Sequence, residues 1–125
     1  MSEQKGQYKT ESKSDLTKEQ ILSWSCSLPF RDVDYQAPKP EQVAALIVFA
    51  GWSQVEAAKI IGVSYTAGKG SSAIRRYKSA ANMESTRAIP YAAWRLMLLN
   101  AGVINIEDEI AQFATEKAGL KTLAD

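Results

Sequence analysis

Two glycines, Gly51 and Gly62, each follow a short apolar run with helical spacing, and they constrain the fold more than any other feature of the chain. Apolar residues recur at intervals of three and four across 43–50, which is typical of one face of a helix. Residues 53–56, Ser-Gln-Val-Glu, form a capping box that begins another helix at once. Glycine commonly follows a helix because it adopts the left-handed conformation that ends it. The sequence therefore predicts two consecutive short helices joined by a tight turn.

A third helix is predicted over about 72–81, after a loop at 65–72 that is rich in glycine and hydroxyl residues. The residues expected to face the core are Ala73, Ile74, Tyr77 and Ala80. The residues expected to face outward are Ser72, Arg75, Arg76 and Ser79. The helix is therefore apolar on one face and basic on the other. The two adjacent arginines diverge by roughly 100° around the helix.

Three further segments carry helical signals. A capping box at 17–20 predicts a short helix over about 17–25, and the residues after it, up to 37, are expected to wrap the main domain. Ile89-Pro90 begins a helix with Trp94 on its inner face. A weaker amphipathic helix is marked by Ile106, Ile110, Phe113 and Ala114. No segment alternates like a strand, so we expect a compact all-α domain of four to five helices behind a flexible N-terminal tail.

Charge and composition restrict the function classes. From Lys59 to Arg95 seven cations face one anion, Glu84, which gives +6, whereas the residues after Arg95 sum to −3. This distribution suggests a local anion-binding face. The chain has no histidine and one cysteine, Cys26, which excludes a Ser-His triad, a Cys-His nucleophile, a Cys/His zinc site and an internal disulfide. We expect no enzyme activity, no cofactor and no bound metal.

The polar N-terminus lacks the apolar segment of a secretory signal, and no apolar run is long enough to cross a bilayer. A cytoplasmic location is expected. The acidic run 107–109 is attributed to a favourable interaction with a helix N-terminus rather than to metal binding. Cys26 is expected to be an inert, half-buried thiol. The three tryptophans, Trp24, Trp52 and Trp94, are expected in the core.

The pattern Gln54-x-x-x-Ala58-x-x-x-Gly62-Val63-Ser64 resembles the first half of the helix-turn-helix of phage-repressor or Xre-type regulators, of the short phage- or plasmid-borne kind. Ile74 resembles the buried aliphatic residue of the recognition helix in that family, and Tyr77-Lys78 resembles its aromatic-acid pair with lysine in place of the acid. The likeness covers about 38–103. The chain departs from the family in its turn, because eight residues separate Ser64 from Ala73 where about three are usual.

The resemblance implies a sequence-specific double-stranded DNA-binding transcriptional regulator, with repression as the expected effect, of a mobile element. The helix at about 72–81 would read the major groove, and Gln54 would contact a phosphate. The predicted DNA-binding residues are Gln54, Lys69, Ser71, Ser72, Arg75, Arg76, Lys78 and Ser79. The predicted divisions are 1–15 as a flexible tail, 16–37 as the N-terminal helix and wrapping segment, 38–103 as the DNA-binding domain, and 104–125 as the C-terminal amphipathic helix and tail.

Several alternatives stay open at this stage. The loop Gly68–Ser72 is expected to offer backbone N–H groups and Lys69 to a DNA phosphate, whereas a nucleotide-binding loop is disfavoured because the P-loop spacing is missing. Ile106, Ile110 and Phe113 form either a homodimer interface or a contact with their own domain. Arg87 and Arg95 are expected as surface charges or helix-end pairs. The chain could also be an accessory factor for plasmid or phage DNA transfer or partition, or a protein-interaction module on the same scaffold.

Overall fold

A computed structural model describes residues 15–80 and 86–124, with side chains to residue 118. Its helices are α1 Lys18–Leu22, α2 Pro40–Ala50, α3 Gln54–Ile61, α4 Ser72–Lys78, α5 Tyr91–Asn100 and α6 Ile106–Ala124. A 3-10 turn at Ser25–Ser27 follows α1. Over those residues there is no strand, only an isolated bridge between Thr66 and Gly70. The all-α prediction is therefore confirmed. The predicted tail at 1–15 and the polar link after α4 lie mostly outside the described residues.

One apolar core contains buried side chains from each of the five helices α1, α2, α3, α4 and α5. Helices α2 and α3 each pack against both α4 and α5. Most of the side chains predicted to point inward are fully buried or nearly so: Val43, Leu46, Ile47, Ala57, Ala58, Ile74, Trp94, Met97 and Leu98. Trp94 lies within the core as predicted, whereas Trp24 and Trp52 are half-buried and pack against its edge. Cys26 is fully buried rather than half-buried.

The two glycines adopt the conformation that the sequence pattern predicts. Gly51 ends α2 with φ 75° and Gly62 ends α3 with φ 79°, values at which glycine is favoured because it has no Cβ. Between them the Ser53 hydroxyl accepts a hydrogen bond from the Glu56 N–H at 3.1 Å, and the Glu56 carboxylate accepts one from the Ser53 N–H at 2.8 Å. The two helix axes consequently bend by 103° over a short break.

Some predicted helix boundaries are wrong. Helix α4 ends at Lys78 rather than near 81, because Ser79 has extended backbone (ψ 149°) and its hydroxyl donates to the Arg75 carbonyl, a local bond that competes with helix continuation. Ala80 is exposed instead of facing the core. Helix α1 stops at Leu22, short of the predicted end at about 25. Pro90 precedes α5 as its N-cap rather than lying inside its first turn.

Polar hydrogen bonds join the segment after α1 to α5. The Trp94 indole N–H donates to the Cys26 carbonyl at 2.8 Å, and Arg95 Nη1 donates to the carbonyls of Ser27 and Leu28 at 2.8 and 3.1 Å. Arg95 is only 7% exposed. Its predicted place at the surface is therefore wrong, because its guanidinium supplies the donors that those buried carbonyls need.

Helix α6 is joined to the rest of the molecule mainly by charged side chains. Glu109 pairs with Arg95, and Glu116 pairs with Arg31, whose guanidinium also lies 4.8 Å from the centre of the Phe113 ring. The apolar residues of this helix stay exposed, at 55% for Ile106, 63% for Ile110 and 50% for Phe113. Phe113 contacts its own domain through Arg31, whereas Ile106 and Ile110 do not join the apolar core. A homodimer interface stays a prediction.

No single helix of the described chain is both long and apolar enough to cross a membrane. Helices α2 and α3 reach that length and hydropathy only when taken together across their 103° bend.

Candidate nucleic-acid interface

A patch of exposed cationic and hydroxyl side chains extends from the loop before α4 along the outside of that helix. We call this patch the basic face and define it by Lys69, Ser72, Arg75 and Arg76, all of which are exposed. The sequence from Lys59 to Ala80 contains five cations and no carboxylate side chain. The face is therefore positively charged over its whole length and suits a polyanion.

The loop that carries Lys69 is a closed turn with its own backbone hydrogen bonds. The Thr66 N–H donates to the Gly70 carbonyl at 2.8 Å, and the Thr66 carbonyl accepts from the N–H groups of Lys69 and Gly70 at 2.9 and 3.0 Å. Gly68 and Gly70 have φ values of 78° and 115°, which favour glycine. Residues 66–70 thus form a small hairpin, and Lys69 within it is exposed to solvent.

Three backbone N–H groups of the predicted phosphate-binding loop already have acceptors inside the fold. The N–H groups of Lys69 and Gly70 are used by the Thr66 carbonyl, and the N–H of Ser71 donates to Gln54 Oε1 at 3.0 Å. These three donors cannot also bind an anion without opening the turn. The Lys69 ammonium group and the Ser72 side chain are exposed and stay accessible to a phosphate.

Ser71 is an internal cap and not a surface contact. Its hydroxyl donates to the Ser64 carbonyl at 2.7 Å and accepts from the Ile74 N–H at 3.3 Å, and the residue is 1% exposed. The prediction that Ser71 contacts DNA does not fit this arrangement, because both roles of its hydroxyl are already filled inside the fold. Ser71 instead fixes where α4 begins.

Gln54 lies at the start of α3 and reaches across to the basic face. Its Oε1 accepts hydrogen bonds from the Ser71 N–H at 3.0 Å and from Arg75 Nη1 at 3.3 Å. The side chain is half-buried, and its amide nitrogen donates to none of the described residues. The contact with a DNA phosphate that the resemblance implied is therefore open only to this amide group.

The remaining predicted residues lie at the end of α4. Lys78 and Ser79 are half-buried, and the Ser79 hydroxyl is bonded to the Arg75 carbonyl. Arg87 is exposed, and its backbone N–H donates to the Arg76 carbonyl at 3.2 Å, which brings the returning chain alongside α4.

Two features of the site escaped sequence reasoning. The Lys59 ammonium lies 5.6 Å from the centre of the Tyr65 ring, a cation–π contact between residues that share no regular helical spacing. The second feature is the close approach of Gly70 to Gln54. A Cβ at Gly70 would lie 2.2 Å from Gln54 Oε1. Its nearness to Gln54, sixteen residues earlier, arises only in the folded chain.

The described residues hold no group of three or more His, Cys, Asp or Glu side chains that could bind a metal ion. Burial raises the pKa of the Cys26 thiol to about 11, so this group is a poor nucleophile at neutral pH. The side chains of the basic face are hydrogen-bond donors and cations, which can bind an anionic backbone and the acceptor edges of bases.

Comparison of the chain with protein-family models, with curated protein sequences and with solved structures yields no match. The basic face is therefore interpreted from its own side chains.

Proposed function

We propose that this protein binds double-stranded DNA sequence-specifically and acts as a transcriptional regulator, with repression as its effect. The observation that carries the proposal is the basic face: two exposed arginines lie on the outside of α4, and Lys69 lines the same surface depression as Arg75. One helix fits the major groove, which is about 12 Å wide. In this interpretation α3 and α4 are the two helices of a helix-turn-helix with an enlarged turn.

The side chains divide by role. Arginine can bond the O6 and N7 acceptors of guanine together, which gives Arg75 and Arg76 the chemistry for base recognition. Lys69, Ser72 and Lys78 supply charge or hydroxyl contacts to phosphates, which set position and affinity without reading sequence. Ser79 is the weakest member, because its hydroxyl is already bonded to the helix backbone.

The biological setting follows from the resemblance of 54–64 to phage-repressor regulators. The resemblance implies control of genes of a mobile element, and we infer a cytoplasmic location for that role. An accessory role in DNA transfer or partition would use the same face.

A second candidate is a protein-interaction module, and the exposed Ile106, Ile110 and Phe113 on α6 favour it. The same three residues would pair two copies if the protein binds DNA as a homodimer.

Selection of bound fragments from random duplex DNA tests the proposal. We expect one enriched motif, and inverted half-sites roughly 34–36 Å apart if two copies bind. Replacing the arginine that reads guanine with alanine should relax one position of the motif and weaken binding by about 1–3 kcal/mol.

The matched control is Lys18→Ala, which removes an exposed cation from α1. It should leave the motif and the affinity unchanged. Recovery of no motif would contradict sequence-specific binding, and promoter overlap of the genomic sites would separate a regulator from an accessory factor.

A further inference from the structure

The geometry points to Gln54 as a positioning residue that orients Arg75, which makes Arg75 the arginine that reads a base and leaves Arg76 to contact a phosphate. This inference rests on the proposed function and deepens it. It also replaces the phosphate contact that the family resemblance implied for Gln54.

A single oxygen joins the loop to the helix. Gln54 Oε1 accepts from the Ser71 N–H at 3.0 Å and from Arg75 Nη1 at 3.3 Å. Ser71 is itself fixed, because it is 1% exposed and its hydroxyl bridges the Ser64 carbonyl and the Ile74 N–H. The acceptor that Arg75 uses is therefore bonded to the backbone N–H of a buried residue.

Holding Arg75 in this way leaves it able to read a base. A guanidinium has five N–H donors, and Gln54 Oε1 occupies one of them. Enough donors remain for a bidentate contact with guanine O6 and N7. A side chain that is oriented before binding loses less conformational freedom on binding, and it discriminates more sharply between correct and incorrect partners.

Gly70 leaves the space in which this contact forms. A Cβ at Gly70 would lie 2.2 Å from Gln54 Oε1 and 3.3 Å from Arg75 Nη1. Any side chain there would displace the oxygen that both donors share. The absence of a side chain at Gly70 therefore leaves room for the positioning contact, and it also permits the φ of 115° at this residue.

Arg76 provides the contrast on the same helix. It is exposed like Arg75, but its guanidinium contacts no partner among residues 15–80 and 86–118. A long cationic side chain without a fixed orientation suits the phosphate backbone, where charge matters more than direction. Within the described part of the chain, the pair therefore divides into Arg75, which has a fixed acceptor, and Arg76, which has none.

The experiment measures base discrimination, defined as the ratio of Kd for the selected duplex carrying one substituted base pair to Kd for the selected duplex itself. Gln54→Met keeps a side chain of similar length and removes the acceptor. We expect it to lower the ratio about 5- to 100-fold at the position read by Arg75, and to leave the salt dependence of binding unchanged because no charge is lost. Gln54→Glu restores an acceptor and should restore the ratio, with weaker affinity for every duplex.

Arg75→Ala completes a double-mutant cycle. If Gln54 acts through Arg75, Gln54→Met in that background should change discrimination no further. A uniform loss of affinity for all duplexes that adds to the Arg75→Ala effect would mean that Gln54 contacts phosphate, and it would overturn the inference while the proposed function stands. Absence of salt-dependent duplex binding by the unaltered protein would overturn the proposed function itself.

A measurement without DNA keeps the inference testable if Gln54→Met does not fold. In NMR spectra of the free, unaltered protein, the Arg75 guanidinium should rotate more slowly than that of Arg76, its matched control on the same helix. Equal rotation of the two guanidinium groups would overturn the positioning role.

Discussion

At the scale of single residues, burial controls the chemistry of Cys26. The thiol is fully buried, its Sγ lies 3.6 Å from Gln42 Oε1, and burial raises its pKa from an ordinary value of 9.0 to about 11. In the unfolded chain the thiol would lose its proton near pH 9, whereas in the folded chain it keeps the proton to about pH 11. Its contribution to stability is thus present below pH 9 and is lost as the pH rises towards 11.

We predict that the free energy of unfolding falls by about 2 kcal/mol between pH 8 and pH 10.5 through this group alone. Urea unfolding at the two pH values measures it, with Cys26→Ala as the control for every other group that titrates in this range. The difference between the two proteins isolates the thiol. The same fall in both proteins would show that Cys26 does not contribute.

Local contacts were predictable from sequence, and long-range ones were not. The capping box of Ser53 and Glu56 formed as expected, because its partners are three residues apart and need no tertiary structure. Ser71 was misassigned to the surface, because its partners Ser64 and Gln54 meet it only in the folded chain. Arg95 was misassigned for the same reason, since it satisfies carbonyls more than sixty residues away.

At the scale of elements, α6 depends on a few charged contacts. Arg95 is almost fully buried and bridges the wrapping segment to Glu109, in the first turn of α6. Removing the Glu109 carboxylate would leave the buried Arg95 guanidinium without its counter-charge, which lowers the free energy of unfolding.

We predict that Glu109→Gln lowers the free energy of unfolding by about 1–3 kcal/mol and speeds amide hydrogen exchange across α6. The control is Glu107→Gln, which removes an exposed charge from the same turn and so has a similar effect on the helix dipole. Glu107 belongs to no ion pair within the described part of the chain. Equal destabilisation by both variants would contradict the coupling through Arg95.

The existence of elements was more predictable than their ends. Apolar periodicity identified the main helices, because burial of one face stabilises each of them. The early end of α4 depends on where the Ser79 hydroxyl bonds, and the hairpin at 66–70 depends on two glycines with positive φ. Neither the end of α4 nor the hairpin follows from a residue spacing that can be recognised in the sequence.

At the scale of the whole molecule, two surfaces differ in character. The basic face lies on α4 and the loop before it, whereas exposed apolar side chains lie on α6. The sequence predicted the basic face, because charge segregation is visible along the chain. It left the apolar residues of α6 as either a homodimer interface or a contact with their own domain. The partners of these surfaces, DNA for one and a second copy of the chain for the other, stay predictions.

Salt dependence of duplex binding tests the central claim most directly, with the selected duplex as the probe. If Lys69 and Arg76 each neutralise a phosphate, log Kobs should fall linearly with log salt, with a slope of about −2 or steeper, since each phosphate contributes about −0.9. Lys69→Ala should reduce the slope by about one unit, whereas Lys18→Ala should leave it unchanged. A slope near zero, or a slope that Lys69→Ala does not alter, would contradict DNA binding by the basic face.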